Sequence, residues 1–461
     1  MQMSVLTDKN DLTTGVVWKK LMGFFFPVLL GLLFQQLYNT ADAFIVGRFE
    51  GDNALAAVGG SASTLTNLII GFFTGLNGGA TVLIAQYYGA RDDENVSRVL
   101  HTSIVFCTIA GIVIALLGIL IAPSALRLLN NPEDIMEDSV LYLRIYFTGA
   151  PLLLLYNLFQ GTLQGVGDSK RPLIYLIVSC LFNIAADLLF VAVFRMGVAG
   201  AAIASVLSML LCAVMAVVFL MRVDGPHRIV PTKLSVRWDV LRKILRIGLP
   251  SGLQGSMYSI SNTIILSAIN SFGTATVSAW TATGKLDGFY WVTSNAFGIA
   301  ICSFVGQCWG AGKYERMKRG IRVCLRIALC STVCLSALLL LSARAVYSAF
   351  LSSPDTIDMA IQIMWYIVPF YFVWSFVEVF SGSFRGTGDT LRPMIIVMLG
   401  TCLLRVLWIF FVLPHWKTLL GISIIYAVSW TVTAIVFAVY YLKGLWLRNC
   451  PDESIRKVKM R

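Results

Sequence analysis

Apolar residues along this chain do not alternate with polar ones; they run in blocks. Stretches near 21–46, 54–79, 100–122, 139–162, 173–194 and 198–221 carry almost no charge. A second set follows near 248–270, 277–305, 321–342, 361–384, 394–413 and 419–442. A helix rises 1.5 Å per residue, so each block is long enough to cross about 30 Å of hydrocarbon. Short segments rich in Gly, Asp, Lys and Arg separate the blocks. The pattern predicts an all-α polytopic membrane protein with about twelve transmembrane helices.

Composition agrees. Of 461 residues, 57% are hydrophobic and 13% charged, against roughly 45–50% and 25% in soluble domains. The formal net charge of +12 suggests nucleic acid until the basic residues are placed. With the N-terminus inside, alternate loops hold about 28 of the 36 Lys and Arg, and the opposite loops hold Arg48, Arg127, Arg195, Arg344 and Lys417. This bias is the positive-inside rule, which puts both termini in the cytoplasm of a cell (plasma or inner) membrane protein. Charge therefore reports topology, and no nucleic-acid partner is expected. The polar first 20 residues precede a span too long for a signal-peptide core, so no cleaved presequence is expected. The 10 cysteines lie mostly inside spans without a C-x-x-C, and His101, His227 and His415 are far apart. They argue against disulfides and zinc.

Two loop motifs recur at one offset. "FQGTLQGVGDSKRP" (159–172) matches "FSGSFRGTGDTLRP" (380–393), and "AQYYGARDDENVSR" (85–98) matches "GQCWGAGKYERMKR" (306–319), both displaced by 221 residues. Gln86, Gly89, Ala90 and Arg98 pair with Gln307, Gly310, Ala311 and Arg319. Each copy holds six spans, an even number, so the copies share one orientation and form a parallel repeat. The implied organisation is a six-helix bundle over 1–221, a cytoplasmic linker over 222–246, a second bundle over 247–442 and a basic tail over 443–461. Within the linker, Trp238, Leu241, Ile244 and Leu245 beside Arg237, Arg242, Lys243 and Arg246 suggest a helix lying on the bilayer surface. In G-x-G-D-x-x-x-P the glycines permit a tight turn, Asp closes it and Pro opens the next helix. No G-x-x-x-x-G-K-[ST] is present, which argues against ATP-driven pumping.

Four acids sit inside predicted spans: Asp42, Asp187, Asp287 and Glu378. At the centre of a membrane helix an aspartate costs roughly 2.5–3.5 kcal/mol, so such groups are paired, protonated or facing water. Measured from the inner ends of their helices, Asp42 lies about 28 Å along and Asp187 about 21 Å, which brings both into the outer half. Asn183 and Tyr38 stand one turn before them, and Ser205 lies on the next span. Two carboxylates, an amide and hydroxyls make a donor set for a hard cation such as Na⁺, or equally a proton site. The bland alternative places Asp42 at the outer surface, paired with Arg48. In the second half Asp287, Glu378 and Lys285 are candidates for a substrate or second carboxylate site, with Lys285–Asp287 pairing or contacts to Arg405 as the structural alternative. Pro27 and Pro250 occupy similar places in the first helix of each half, where a proline provides a bend.

The chain resembles the multidrug and toxic compound extrusion (MATE) family, in its bacterial DinF-like branch. The resemblance covers essentially the whole chain and rests on "YNTADAFIVGRF", "AQYYGA", "GDSKRP", "NIAAD", "GKLDGF", "GQCWGAGKYERMKRG" and "FVEVFSGSFRGTGDTLRP". It implies two six-helix bundles around a central cavity and secondary antiport, expelling organic, often cationic, compounds in exchange for H⁺ or Na⁺. The family's ion site maps onto Asp42, Asn183 and Asp187, with Tyr38 and Ser205 as neighbours. One departure stands out: the seventh helix reads "LPSGLQGSMYSISN" and lacks the glutamate some members carry there. A monomer with no cofactor beyond the coupling ion is expected. A flippase for lipid-linked saccharides shares the architecture and is the alternative, although it calls for a basic cavity. A non-transporting receptor would need an extramembrane domain, and no segment is large enough. No catalytic constellation points to an enzyme.

Overall fold

The computed structural model describes residues 11–351 and 353–447. Its main helices are Val17–Glu50 (α1), Asp52–Gly89 (α2, stepped at Gly60), Asp93–Leu128 (α3), Glu133–Thr148 with Ala150–Gly165 (α4, bent by 50°), Lys170–Val193 (α5) and Gly197–Arg222 (α6). They continue with Trp238–Asn270 (α7), Thr274–Gly310 (α8), Tyr314–Phe350 (α9), Pro354–Gly386 (α10), Leu391–Phe411 (α11) and Leu419–Leu442 (α12). Counting bent α4 as one, eleven of these are long and apolar enough to cross a membrane. The exception is α7, whose middle is the polar stretch "SGLQGSMYSISN".

Helix α7 tolerates that polarity because it packs on protein. Gly75 and Gly79 of α2 face Gly252 and Gly248 of α7, so close that a Cβ on any of the four would meet the opposite backbone, and one on Gly255 would meet the backbone of Gly71. Small residues four apart let two membrane helices approach backbone to backbone. The start of α7 departs from the expected surface helix: Trp238 to Arg246 are its first turns, continuous with the span. Of the basic tail, residues 448–461 lie outside the described residues.

The bundles meet where α2 packs on α7 and α8, and α1 on α8. Their contact is tightest at the end where the described residues begin, near Leu12. There Gln86 of α2 donates to the Gly386 carbonyl (2.9 Å) and Gln307 of α8 donates to the Gly165 carbonyl (2.8 Å). These are the same bond twice, because Gln86 pairs with Gln307 and Gly165 with Gly386 in the repeat. Phe25 of α1 stacks on Phe297 of α8 with centroids 4.1 Å apart. The segment before α1 joins in: buried Leu12 donates its N–H to Gln307 Oε1 (3.0 Å), and Arg316 donates to the carbonyls of Leu12, Thr14 and Gly15.

The G-x-G-D motifs form turns as their composition dictates. Gly167 and Gly388 have φ of 87° and 84°, in the left-handed region open to glycine. Asp168 accepts from the backbone N–H groups of Lys170 and Arg171 and pairs with the Arg171 side chain.

At the opposite end polar side chains stand exposed on the four central helices: Gln36 and Asn39 on α1, Asn67 on α2, Asn262 on α7, Thr281 and Lys285 on α8. Lipid offers such groups no hydrogen-bond partner, so they line a water-accessible cleft.

Candidate ion and substrate sites

The first site is built by two packed helices, α1 and α5. One turn of α1 separates Tyr38 from Asp42 and one turn of α5 separates Asn183 from Asp187, so each helix presents two polar groups on one face. Asp42 is 8% exposed, and Asn183 and Asp187 are wholly buried. The Asp42 and Asp187 carboxylates lie close enough to interact electrostatically. Tyr38 Oη donates to Ser205 Oγ at 2.9 Å, which ties α1 to α6. Tyr142 and Tyr146 of α4 lie within electrostatic reach of Asp42. Among the described residues no donor reaches Asp42 Oδ1, either oxygen of Asp187, or the Asn183 oxygen, and the Asn183 amide nitrogen meets no acceptor. Buried acceptors without donors are costly, and a set of this chemistry can take up a cation or a shared proton. The surface alternative fails, since Asp42 is buried beside Asp187 and not exposed with Arg48.

The second half distributes its candidates differently. Asp287 accepts a hydrogen bond from the Tyr371 hydroxyl, and Tyr371 stacks on Tyr290 at 3.8 Å. Glu378 lies 3.4 Å from Arg385 on its own helix and packs against Gly298. Lys285 stands exposed on the cleft face of α8, where neighbouring Gly284 and Gly288 have open space before them. The alternative Lys285–Asp287 pair does not form, because residues two apart on a helix diverge. Neither acid reaches Arg405. Asp287, Glu378 and Lys285 thus lie apart in three settings. Pro27 and Pro250 sit inside unbroken helices.

The arrangement has a known counterpart. The MatE family profile matches residues 27–189 and again 250–411. The chain belongs to the MatE family. The two matched stretches are the two halves of the repeat. Among curated MatE relatives, the probable multidrug resistance protein YoeA of Bacillus subtilis is 29% identical over 434 residues, covering 92% of this chain and 93% of that one. The probable multidrug resistance protein NorM of Thermotoga maritima is 24% identical over 439 residues, 93% of each chain. A solved structure described as the outward-facing conformation of a multidrug resistance MATE family transporter superposes with a TM-score of 0.87 at 26% identity, covering 97% of this chain and 98% of that one. A transporter of the wider superfamily from Pyrococcus furiosus, described by the reverse polarity of its binding pocket, gives 0.89 at 26% identity with the same coverage. The MatE fold of this chain is therefore that of a multi-pass membrane transporter with twelve helices.

Sequence reasoning reached the acids of this MatE chain but not their partners in the second half. Tyr371 and Arg385 carry no local signal, since an exposed or a buried tyrosine looks the same in sequence. The glutamine bonds did leave a trace: both glutamines and both acceptor glycines fall within the repeated motifs.

Proposed function

We propose that this protein is a secondary active multidrug efflux antiporter of the cell membrane, with both termini in the cytoplasm, working by alternating access. The facing Asp42–Asp187 pair with Asn183, buried and without donors, carries the proposal. It is an acceptor-rich site suited to the coupling ion, H⁺ or Na⁺, with the Tyr38–Ser205 bond at its edge. Helix α1 packs on both α5 and α8, so a change in its packing when the ion binds reaches both bundles at once. Ion and cargo need only favour opposite states for their movements to be coupled. The cleft accepts and releases small organic compounds, cationic ones among them. The multidrug names of YoeA and NorM support this reading over a flippase for lipid-linked saccharides.

The test is efflux of organic dyes from proteoliposomes under a pH gradient and a Na⁺ gradient imposed separately. One gradient should drive efflux in the wild type, and Asp42→Asn should abolish it while the protein remains inserted. Efflux of equal rate in the mutant rejects the ion site. No gradient-dependent movement of any dye rejects the antiporter and returns the flippase.

A further inference from the structure

The two bundles follow one plan but carry opposite chemistry in their fifth helices. Each contains a π-helical segment, at the end of α5 (Leu188–Val193) and in the middle of α11 (Met398–Leu403). Such segments are rare and concentrate at functional sites. In α5 the segment follows directly on Asp187; in α11 it leads into Arg405. Where the first bundle buries an acid, the second buries a base.

Arg405 is 2% exposed. Its Nε–H donates to Ser429 Oγ at 3.0 Å, and its guanidinium carbon lies 4.2 Å from the centre of the Tyr426 ring and 5.8 Å from that of Trp430. Its Nη2 meets no acceptor, and neither does the buried indole N–H of Trp430 beside it. Among the described residues no carboxylate lies within ion-pair distance of Arg405. A buried guanidinium so placed is strongly unfavourable unless something supplies lone pairs. The unpartnered groups of the first bundle are mainly acceptors, which ask for a cation. Beside Arg405 the unpartnered Nη2 and Trp430 indole are donors, with the Tyr258 hydroxyl nearby able to do either, and the donors ask for an anion's lone pairs.

The surroundings describe the rest of the ligand. Tyr426 and Trp280 touch with centroids 5.8 Å apart and both are partly exposed, so Arg405 lies one ring beneath the accessible surface. Their faces suit a flat aromatic body, while the guanidinium fork suits a carboxylate in two-point contact. Lys285, exposed and, among the described residues, without an ion pair, lies on the same helix as Trp280 and adds positive charge that offsets Asp287, which is within electrostatic reach of Tyr426.

We propose that the second bundle holds a binding site for the carboxylate of an aromatic organic acid or zwitterion, with Arg405 as its anchor and Tyr426 and Trp280 as its walls. The site rests on the reading of this chain as a transporter of organic cargo, whose polarity it specifies.

Equilibrium dialysis of the purified full-length protein in nanodiscs, against empty nanodiscs, tests it with three probes of one shape: naphthoate, naphthamide and naphthylmethylammonium. Wild type should bind naphthoate about tenfold more tightly than either of the others, from the two-point charged contact. Arg405→Gln should lose that preference, and Arg405→Lys should keep only part of it, because an ammonium cannot reproduce the fork. Equal wild-type binding of the three probes overturns the site, and this comparison holds even where a variant fails to fold. Naphthoate preference retained in Arg405→Gln overturns it as well. Gradient-driven efflux is read separately on Asp42→Asn, so failure of the antiport reading leaves the naphthoate result untouched.

Discussion

Gln86 and Gln307, 221 positions apart, each reach across the boundary between bundles to the other half's glycine carbonyl, at 2.9 Å and 2.8 Å. The backbones beside them also touch: a Cβ at Gly89 would strike the Gln307 backbone, and one at Gly310 the Gln86 backbone. The result is a two-fold clasp that any opening of this end must break.

Replacing either glutamine with leucine leaves a carbonyl without its donor, at a cost of about 1–3 kcal/mol. Gln307→Leu also releases the N–H of Leu12 and should be the more severe. Faster amide exchange in the turns after α2 and α8, measured by mass spectrometry, is the expected outcome. Unchanged exchange in both variants would remove the clasp from the account of closure.

Adjacent glycines of α2 offer an internally controlled test. A Cβ at Gly79 meets the backbone of Ile244 and Gly248, whereas one at Gly78 meets nothing within 4 Å. Gly79→Ala should lower stability by about 1–3 kcal/mol through overpacking. Gly78→Ala should gain about 0.5–1 kcal/mol, since alanine is the better helix former. Thermal unfolding in detergent compares them directly, and equal melting temperatures would contradict the backbone-to-backbone seam.

The acid pair predicts a trade of stability against function. Asp187→Asn keeps the shape, removes one of two facing carboxylates and supplies a donor to Asp42. Its melting temperature should rise while gradient-driven efflux disappears. A variant that melts lower and still transports would place Asp187 among structural residues.

His227, in the linker between α6 and α7, gives a pH signature outside the membrane. Burial, aided by nearby Arg171 and opposed by Asp168, pushes its imidazole from the ordinary 6.5 down to about 4. The folded protein thus favours the neutral ring. Stability is fully present above pH 6.5 and is lost as pH falls toward 4, where the unfolded chain takes up the proton first. Allowing for the partial exposure of the ring, the loss is on the order of 1–2 kcal/mol. Melting temperatures of wild type and His227→Gln, followed from neutral pH downward, should diverge only below pH 6.5. Parallel curves would mean that the ring is solvated.

By itself the sequence determined what depends on neighbours along the chain. Apolar blocks marked twelve helices, because an apolar run long enough to cross a bilayer has one favourable place to go, and among the described residues eleven of them are long and apolar enough to do so. The repeat fixed the parallel halves, and helical spacing put Asn183 with Asp187 and Tyr38 with Asp42. The block at 248–270 reads as a span like the rest, yet the polar middle of α7 falls short of the others in hydropathy because it faces the glycines of α2 where lipid would otherwise be.

Tertiary structure decided the pairings between helices. Whether Asp287 met Lys285, Arg405 or Tyr371 depended on the rotation and tilt of α8 against α10, which no local pattern encodes. The same is true of Glu378 with Arg385, of Lys285 left facing the cleft, and of Arg405 left without a carboxylate. The linker residues from Trp238 onward carried a surface-helix pattern, yet packing against α2 drew them into the first turns of a span. Local periodicity sets which face of a helix is polar; only the packing of the other helices decides what that face meets.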